Sequence, residues 1–269
     1  MKDAPSNALL LAVAVQAARR ASHHAYSHQE RRQDANSVAH NDVKLKLDEE
    51  CQAIAIRTIL ESFPDHSVLA EEDTEELAAL KARESEYQWI IDPIDGTVNF
   101  FHGNPYWCCS VAVRRGGETL AGAIVSPGQG LVYEASLGGP SLCNGEPLRV
   151  SATVDPAEAQ VLTGADKSED PATRPFRFFN AIADIVQRPR VCGSAALDIC
   201  AVARGSADGY FEPGIFIWDI AAADLILRMA GGTGSALRRF GGHKLAYLAS
   251  NGTALHGTLE RALEPCFRS

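Results

Sequence analysis

The sequence predicts an α+β half joined to an α/β half. From Ser110 onward, short apolar segments follow one another with Gly-rich turns between them, the texture of an antiparallel meander. After about residue 156, strand and helix character alternate. The chain has 269 residues, 46% hydrophobic and 22% charged, enough for one large domain or two small ones. The expected division is an N-terminal half over 1–155 and a C-terminal half over 156–269.

The elements follow in order. Ser6 or Asn7 caps a first amphipathic helix, whose pattern covers 6–34 and turns basic at His23, His24, His28, Arg31 and Arg32. That basic stretch reads as a solvated segment. Asp48 caps a second helix, Glu49 to Ser62, which Phe63-Pro64 ends. Ser67–Ala70 and Trp89–Ile91 are short strands, the first running into Glu71-Glu72 and the second into Asp92-Pro93. Ser110–Val113, Leu120–Val125 and Leu131–Ala135 form the meander. Val161–Thr163 leads to a helix near 175–187, Arg190–Cys192 to one opening at Ser194, and Tyr210–Glu212 to one opening near Asp219.

Composition excludes several classes. A disordered chain, a collagen-like chain and a disulfide miniprotein all fail on these percentages. The 34 acidic residues exceed the 25 basic ones, giving a formal charge of -9 and a pI near 5.4. Nucleic acid and anionic membranes are poor partners for such a chain. Seven scattered cysteines show no CxxC or zinc spacing, which suits buried thiols in a reducing cytoplasm. The apolar run Leu9–Val15 falls short of the roughly 20 residues a bilayer requires.

The densest chemical signal is Asp92-Pro93-Ile94-Asp95-Gly96-Thr97. A strand leaves the core, breaks at Pro93, and presents two carboxylates, a turn glycine and a hydroxyl. Asp, Pro and Gly are also what a tight turn selects for backbone reasons alone. Two further features argue for chemistry: Glu71-Glu72 ends another strand, and Trp218-Asp219 begins a helix in the other half. Such acids can converge at one sheet edge, where without a cation they would repel and some would protonate. Oxygen donors with no His or Cys suit hard cations, Mg²⁺ above all.

Together these motifs resemble the inositol monophosphatase family. The resemblance runs through Glu71-Glu72, DPIDGT at 92–97, Gly193-Ser194-Ala195-Ala196 and Trp218-Asp219-Ile220-Ala221-Ala222. It also takes in Asp42…Asp48, Asn99–Gly103, Cys143-Asn144-Gly145, Glu212 and Gly231-Gly232. It implies a layered αβαβα sandwich of the sugar-phosphatase type. It implies a Mg²⁺-dependent, lithium-sensitive phosphomonoesterase with two or three ions. Glu71, Asp92 and the Ile94 carbonyl would hold the first ion. Asp92, Asp95 and Asp219 would hold the second, with a weaker third near Glu71. Thr97 and Glu71 would orient the attacking water, with Asp42 supporting Thr97. Gly96 and Thr97 would donate N–H groups to the phosphate, and Gly193, Ser194, Ala195 and Glu212 would hold alcohol hydroxyls. Asp95 and Asp219 would touch the substrate as well.

One departure stands out. Where the family commonly shows Asp-x-Val-Thr-x-x-Asp, this chain has Asp42-Val43-Lys44-Leu45-Lys46-Leu47-Asp48. Lys44 and Lys46 either screen the site's acids, touch the phosphate, or form a solvated strand face. His102 reads as structural and Cys192 as a packed thiol. Trp107 and the strands after it are a candidate dimer face, since the family is usually dimeric. The expected substrate is inositol 1-phosphate. Histidinol phosphate, fructose 1,6-bisphosphate and adenosine 3′,5′-bisphosphate are alternatives within the same chemistry. The non-enzyme alternative is a catalytically idle interaction module.

Overall fold

A computed structural model describes residues 4–39, 42–164 and 176–267, with the side chains of 38, 39, 42, 43 and 76 outside the description. Helix α1 spans Asn7–Ser27 and is capped by Ser6, whose hydroxyl accepts the Leu9 N–H at 3.2 Å. Its buried stripe, Leu10, Val13, Ala14, Ala17, Ala18, Ala21 and Ala25, keeps helical spacing. The helix is shorter than its pattern suggested, because His28 N–H turns to the Ala25 carbonyl and a 3-10 turn follows over Gln29–Arg31. Nor is the basic stretch loosely solvated. His24 and Arg31 both grip Glu50, at 2.8 and 2.6 Å, and the Arg31 hydrogen bond, then His24, pulls that carboxyl down to about 2.

Strands β1 (Ala35–Ala39) and β2 (Asp42–Leu45) pair antiparallel and lead into α2, Lys46–Ser62. This helix opens earlier than expected. Asp48 lies inside the first turn and accepts the Leu45 N–H at 2.8 Å, capping from the third helical position. Phe63-Pro64 ends the helix as expected. Next come β3 (Ser67–Ala70), α3 (Glu75–Lys81) and β4 (Tyr87–Asp95). Strand β4 runs through Pro93 instead of stopping before it, and its pairing with the next strand slips between Asp92 and Asp95. Proline has no N–H for the ladder, and the irregularity absorbs that loss.

Helix α4 (Thr97–Phe101) precedes the meander β5 (Cys108–Arg115), β6 (Glu118–Ser126), β7 (Leu131–Ser136), β8 (Ser141–Cys143) and β9 (Glu146–Pro147). The seven-stranded sheet has the order β3-β4-β5-β6-β7-β8-β9. Then follow β10 (Gln160–Thr163), α5 (Arg177–Ala183), β11 (Arg188–Arg190), α6 (Ala195–Ala203), β12 (Gly209–Phe216) and α7 (Ile217–Met229). Strands β13 (Thr233–Gly241) and β14 (Lys244–Ser250) and helix α8 (Leu255–Leu263) complete the description. The second sheet has the order β11-β10-β12-β14-β13, parallel around β10 and antiparallel around β14.

The layers are the αβαβα sandwich. Helices α1 and α2 cover one face of the large sheet, α6 and α7 lie between the sheets, and α5 and α8 cover the far face of the small one. In β4, Trp89 and Ile91 point to the α1/α2 core while Ile90 points to the α6/α7 core. Central strands buried on both faces therefore read as unbroken apolar runs. At residue 122, a Cβ would stand 2.9 Å from the Ala222 Cα, so glycine lets α7 lie directly on β6. The middle core draws Ile90 and Ala112 from the first half and Leu197 and Ala222 from the second. Trp107 does not form an outer face: it is 2% exposed and packs edge-on against Phe100. Of the strands after it, β5 and β6 are central and covered on both faces, while β7 and β8 are partly exposed and β9 is the exposed edge.

Candidate active site

Three chain segments bring acids to one place. Glu71 follows the last residue of β3, and its N–H reaches the Ile91 carbonyl at 3.3 Å. Its neighbour Glu72 is held by its backbone, accepting from Gln52 Nε2 at 2.7 Å and donating to Gln52 Oε1 at 3.0 Å. The Glu72 carboxylate, nearly buried, pairs with Lys44 at 3.0 Å. Lys44 thus faces the site's acids.

The DPIDG turn is built by its own side chains. Asp92 Oδ1 accepts the Ile94 N–H at 3.1 Å, and the Thr97 hydroxyl donates to the Ile94 carbonyl at 2.9 Å. Gly96 sits at φ +93, and a Cβ there would meet the Tyr106 and Gly193 carbonyls at 3.0 and 3.1 Å. Both conformation and space therefore require glycine. The turn delivers Asp95 to the start of α6. Asp95 Oδ2 accepts from the Ser194 hydroxyl at 2.5 Å and the Ala196 N–H at 2.8 Å, and Oδ1 accepts the Ala195 N–H at 3.2 Å. The Cys108 thiol lies 3.7 Å from the same carboxyl.

Helix α7 supplies the last acid. Asp219, in its first turn, accepts the Phe216 N–H at 2.9 Å. Asp92 lies close enough to Glu71 and Asp219 for the three acids to weigh on one another's charge. Carboxylates crowded and buried in this way favour taking up protons. Burial, then mutual repulsion, holds Asp92 well above the carboxylate range. Burial, then Asp219, lifts Glu71 to about 8, and burial, then Asp95, lifts Asp219 to about 7. Glu71 and Asp219 keep partial solvent contact at the mouth even though protein surrounds them on most sides. Burial also raises Asp95, against the pull of its donors on α6.

Among the described residues, no three His, Cys, Asp or Glu side chains stand ready to hold a metal ion as they are turned. The chemistry of the gathered carboxyls fits a hard cation: oxygen donors only, mutually repelling, deep in the protein. Burial raises the Cys108 thiol well above its usual value, so it stays protonated and serves as a donor to Asp95.

A model of the inositol monophosphatase family matches residues 6–265. The chain belongs to the inositol monophosphatase family. The "Nus factor SuhB" of Pasteurella multocida is 39% identical over 228 residues, covering 83% of each chain. An inositol monophosphatase from Anabaena superposes with a TM-score of 0.82 at 29% identity, covering 96% of each chain. The extragenic suppressor protein suhB of Bartonella henselae gives a TM-score of 0.85 at 28% identity, covering 95% of this chain and 98% of that one. Membership supports phosphatase activity on a small molecule, in a family that is in general Mg²⁺-dependent.

In this family member, Glu71, Asp92, Asp95 and Asp219 stand together, with Ile94 and Thr97 joined in the turn. The Ser194 hydroxyl and the Ala195 N–H are directed at Asp95. Gly193 lies against Asn99, where a Cβ would come within 3.0 Å of Asn99 Nδ2. Glu212 accepts from the Tyr210 hydroxyl at 3.1 Å and stands near enough to Asp219 to repel it. The backbone of Asp42 belongs to β2, but its side chain lies outside the described residues.

Other site residues escaped the sequence reading. Asp48 stood in the sequence as a helix cap and as the far end of the Asp42…Asp48 motif, with no role at the site assigned to it. It is 2% exposed and feels Glu71 and Glu72, and its Oδ1 has no hydrogen-bond partner. Its place at the end of the Asp42…Asp48 motif was the available signal. Gln52, Tyr106 and Asp198 carried no signal, since each works through a partner distant in sequence, and Asn99 stood in the Asn99–Gly103 resemblance with no role attached.

Proposed function

We propose that this protein hydrolyses a small phosphate monoester with Mg²⁺, inositol 1-phosphate first among candidates, to the free alcohol and phosphate. The observation that carries this is the convergence of Glu71, Asp95 and Asp219 on the buried Asp92, which gathers acids from two ends of the chain. Bound Mg²⁺ neutralises phosphate charge and lowers the pKa of water. Glu71, Asp92 and the Ile94 carbonyl would hold a first ion; Asp92, Asp95 and Asp219 would hold a second; a third would lie near Glu71. Thr97 and Glu71 orient the attacking water, with Asp42 behind Thr97. The N–H groups of Gly96 and Thr97 meet the phosphate, and Asp219 lies by the ester oxygen. Glu212, with Tyr210 beside it, accepts from alcohol hydroxyls at the rim, as do the groups at Gly193–Ala195. Such an acceptor favours a polyol over an apolar alcohol. Phosphoryl transfer asks mainly for this positioning and charge stabilisation.

Phosphate release from a panel of esters with MgCl₂, with and without LiCl, tests the reading. Turnover of inositol 1-phosphate that lithium inhibits is the expected result. Strong preference for histidinol phosphate, fructose 1,6-bisphosphate or adenosine 3′,5′-bisphosphate would overturn the inositol assignment. A homodimer in the cytoplasm completes the proposal. No disulfide joins the described cysteines to one another, which fits a reducing compartment, and no helix among the described residues is long and apolar enough to cross a membrane. The relatives' name, Nus factor, favours a second reading, a binding role apart from catalysis. An Asp95→Asn variant that loses turnover but keeps that role would support it.

A further inference from the structure

We propose that Tyr106, Asp198 and Asn99 are positioning residues for Asp95, and that they set the affinity and selectivity of the site for Mg²⁺. The inference rests on the Mg²⁺-dependent reading above. Three of the donors that meet Asp95 come from one place, the start of α6: the Ser194 hydroxyl and the N–H groups of Ala195 and Ala196. The direction in which the free lone pairs of Asp95 point therefore depends on where α6 begins. Asp95 itself belongs to the other half of the chain, so something must register the two.

The segment directly after the DPIDGT turn provides that registration. Asn99 Nδ2 donates to the Tyr106 carbonyl at 2.8 Å and to the Cys192 carbonyl at 2.9 Å, fixing the residue before Gly193-Ser194. The Tyr106 hydroxyl donates to Asp198 Oδ1 at 2.6 Å, and Asp198 is 1% exposed, one turn into α6. One side chain holds the approach to the helix, and the other holds its first turn. Between them, Gly96 lies against the Gly193 carbonyl and the Ser194 Cβ, so the two turns meet without slack. Sliding α6 on Asp95 would break the Tyr106–Asp198 bond.

Mg²⁺ demands near-ideal octahedral oxygens at short distance, while Ca²⁺ tolerates looser geometry. Loosening the hold on Asp95 should therefore weaken Mg²⁺ more than Ca²⁺. A part that only stabilises the fold would leave that ratio alone. Groups that orient a ligand typically account for 10–100-fold in metal affinity.

The experiment is thermal unfolding of the whole chain, titrated separately with MgCl₂ and CaCl₂, for wild type, Tyr106→Phe, Asn99→Ala and Tyr247→Phe. Tyr247 is the control: its hydroxyl makes an equally short bond, 2.6 Å, to Asp224, further along α7 and away from Asp95. Expected is a roughly tenfold rise in half-saturating Mg²⁺ for Tyr106→Phe and Asn99→Ala, with a smaller change for Ca²⁺. Tyr247→Phe should leave both titrations unchanged. Asp198→Asn with Tyr106 in place, which keeps an acceptor for the Tyr106 hydroxyl, should retain most of the wild-type Mg²⁺ response. If Tyr106→Phe lowers the melting temperature like Tyr247→Phe while its metal titrations stay wild-type, the inference is overturned. A wild-type chain that does not respond to Mg²⁺ at all overturns the Mg²⁺ reading, and this inference with it.

Discussion

The carboxamide of Gln52 closes on the backbone of Glu72 from both sides, donating to its carbonyl at 2.7 Å and accepting its N–H at 3.0 Å. A side chain of α2 thereby completes the hydrogen bonding where β3 ends, and Glu71 is held one residue away. Both groups are buried, so losing one partner leaves an unsatisfied polar atom. Gln52→Glu removes the donor and adds a carboxylate beside Asp48, Glu71 and Glu72. The expected result is a loss of about 2 kcal/mol in urea unfolding and at least tenfold in turnover. Wild-type stability in Gln52→Glu would contradict this account of the clamp.

The pH dependence of stability has a definite sign. Glu71 and Asp219 have ordinary values of 4.5 and 3.8, and in the folded chain they rise to about 8 and about 7. The folded state therefore holds protons that the unfolded state releases. Their contribution to stability is fully present below about pH 4 and is lost as pH rises through 7 to 8. In EDTA, the melting temperature should fall between pH 5 and pH 8. With saturating MgCl₂ that decline should flatten, since a cation stabilises the charged acids. A melting temperature that rises over this range in EDTA would show that the acids are not buried together.

Legibility divided along physical lines. The meander from Cys108 to Ser136 was readable because apolar runs and Gly-rich turns act locally. DPIDGT and Trp218-Asp219 were readable because backbone need and chemical need fall on the same residues. Strand β4 was cut short at Pro93, since proline ordinarily ends a ladder and the slip that admits it depends on β5. The start of α2 was misplaced because an acid can cap from outside the helix or from its third position, and Asp48 does the latter. The roles of Gln52, Asn99 and Asp198 were illegible for a stronger reason. On a helix an amide or acid looks solvated until the partner it serves is known, and those partners, the backbones of Glu72 and Cys192 and the Tyr106 hydroxyl, lie 20, 93 and 92 residues away.

Gly122 offers a test of the layering that is independent of the site. A Cβ there would stand 2.9 Å from the Ala222 Cα and 3.0 Å from its Cβ, both on the helix between the sheets. Neither can move without shifting α7. Overpacking of this kind costs about 1–3 kcal/mol. Gly122→Ala should lower stability by that amount in urea unfolding. A neutral substitution would mean that α7 does not rest on β6.

Lys44 stands where the family commonly shows other residues, and its bond to Glu72 predicts an unusual trade. The pair is uneven: Lys44 is 43% exposed at its side chain and Glu72 only 7%. Solvent screens the lysine, so the bond itself contributes about 1 kcal/mol or less. Removing the positive charge, however, leaves a nearly buried carboxylate next to Glu71 and Asp48, both already raised by burial and then by their acidic neighbours. Lys44→Gln should therefore lower the melting temperature in EDTA and at the same time lower the Mg²⁺ concentration needed for half-saturation. Lysine and magnesium would be competing to neutralise the same acids. If Lys44→Gln weakens Mg²⁺ binding instead, then Lys44 organises the site and does not merely screen it.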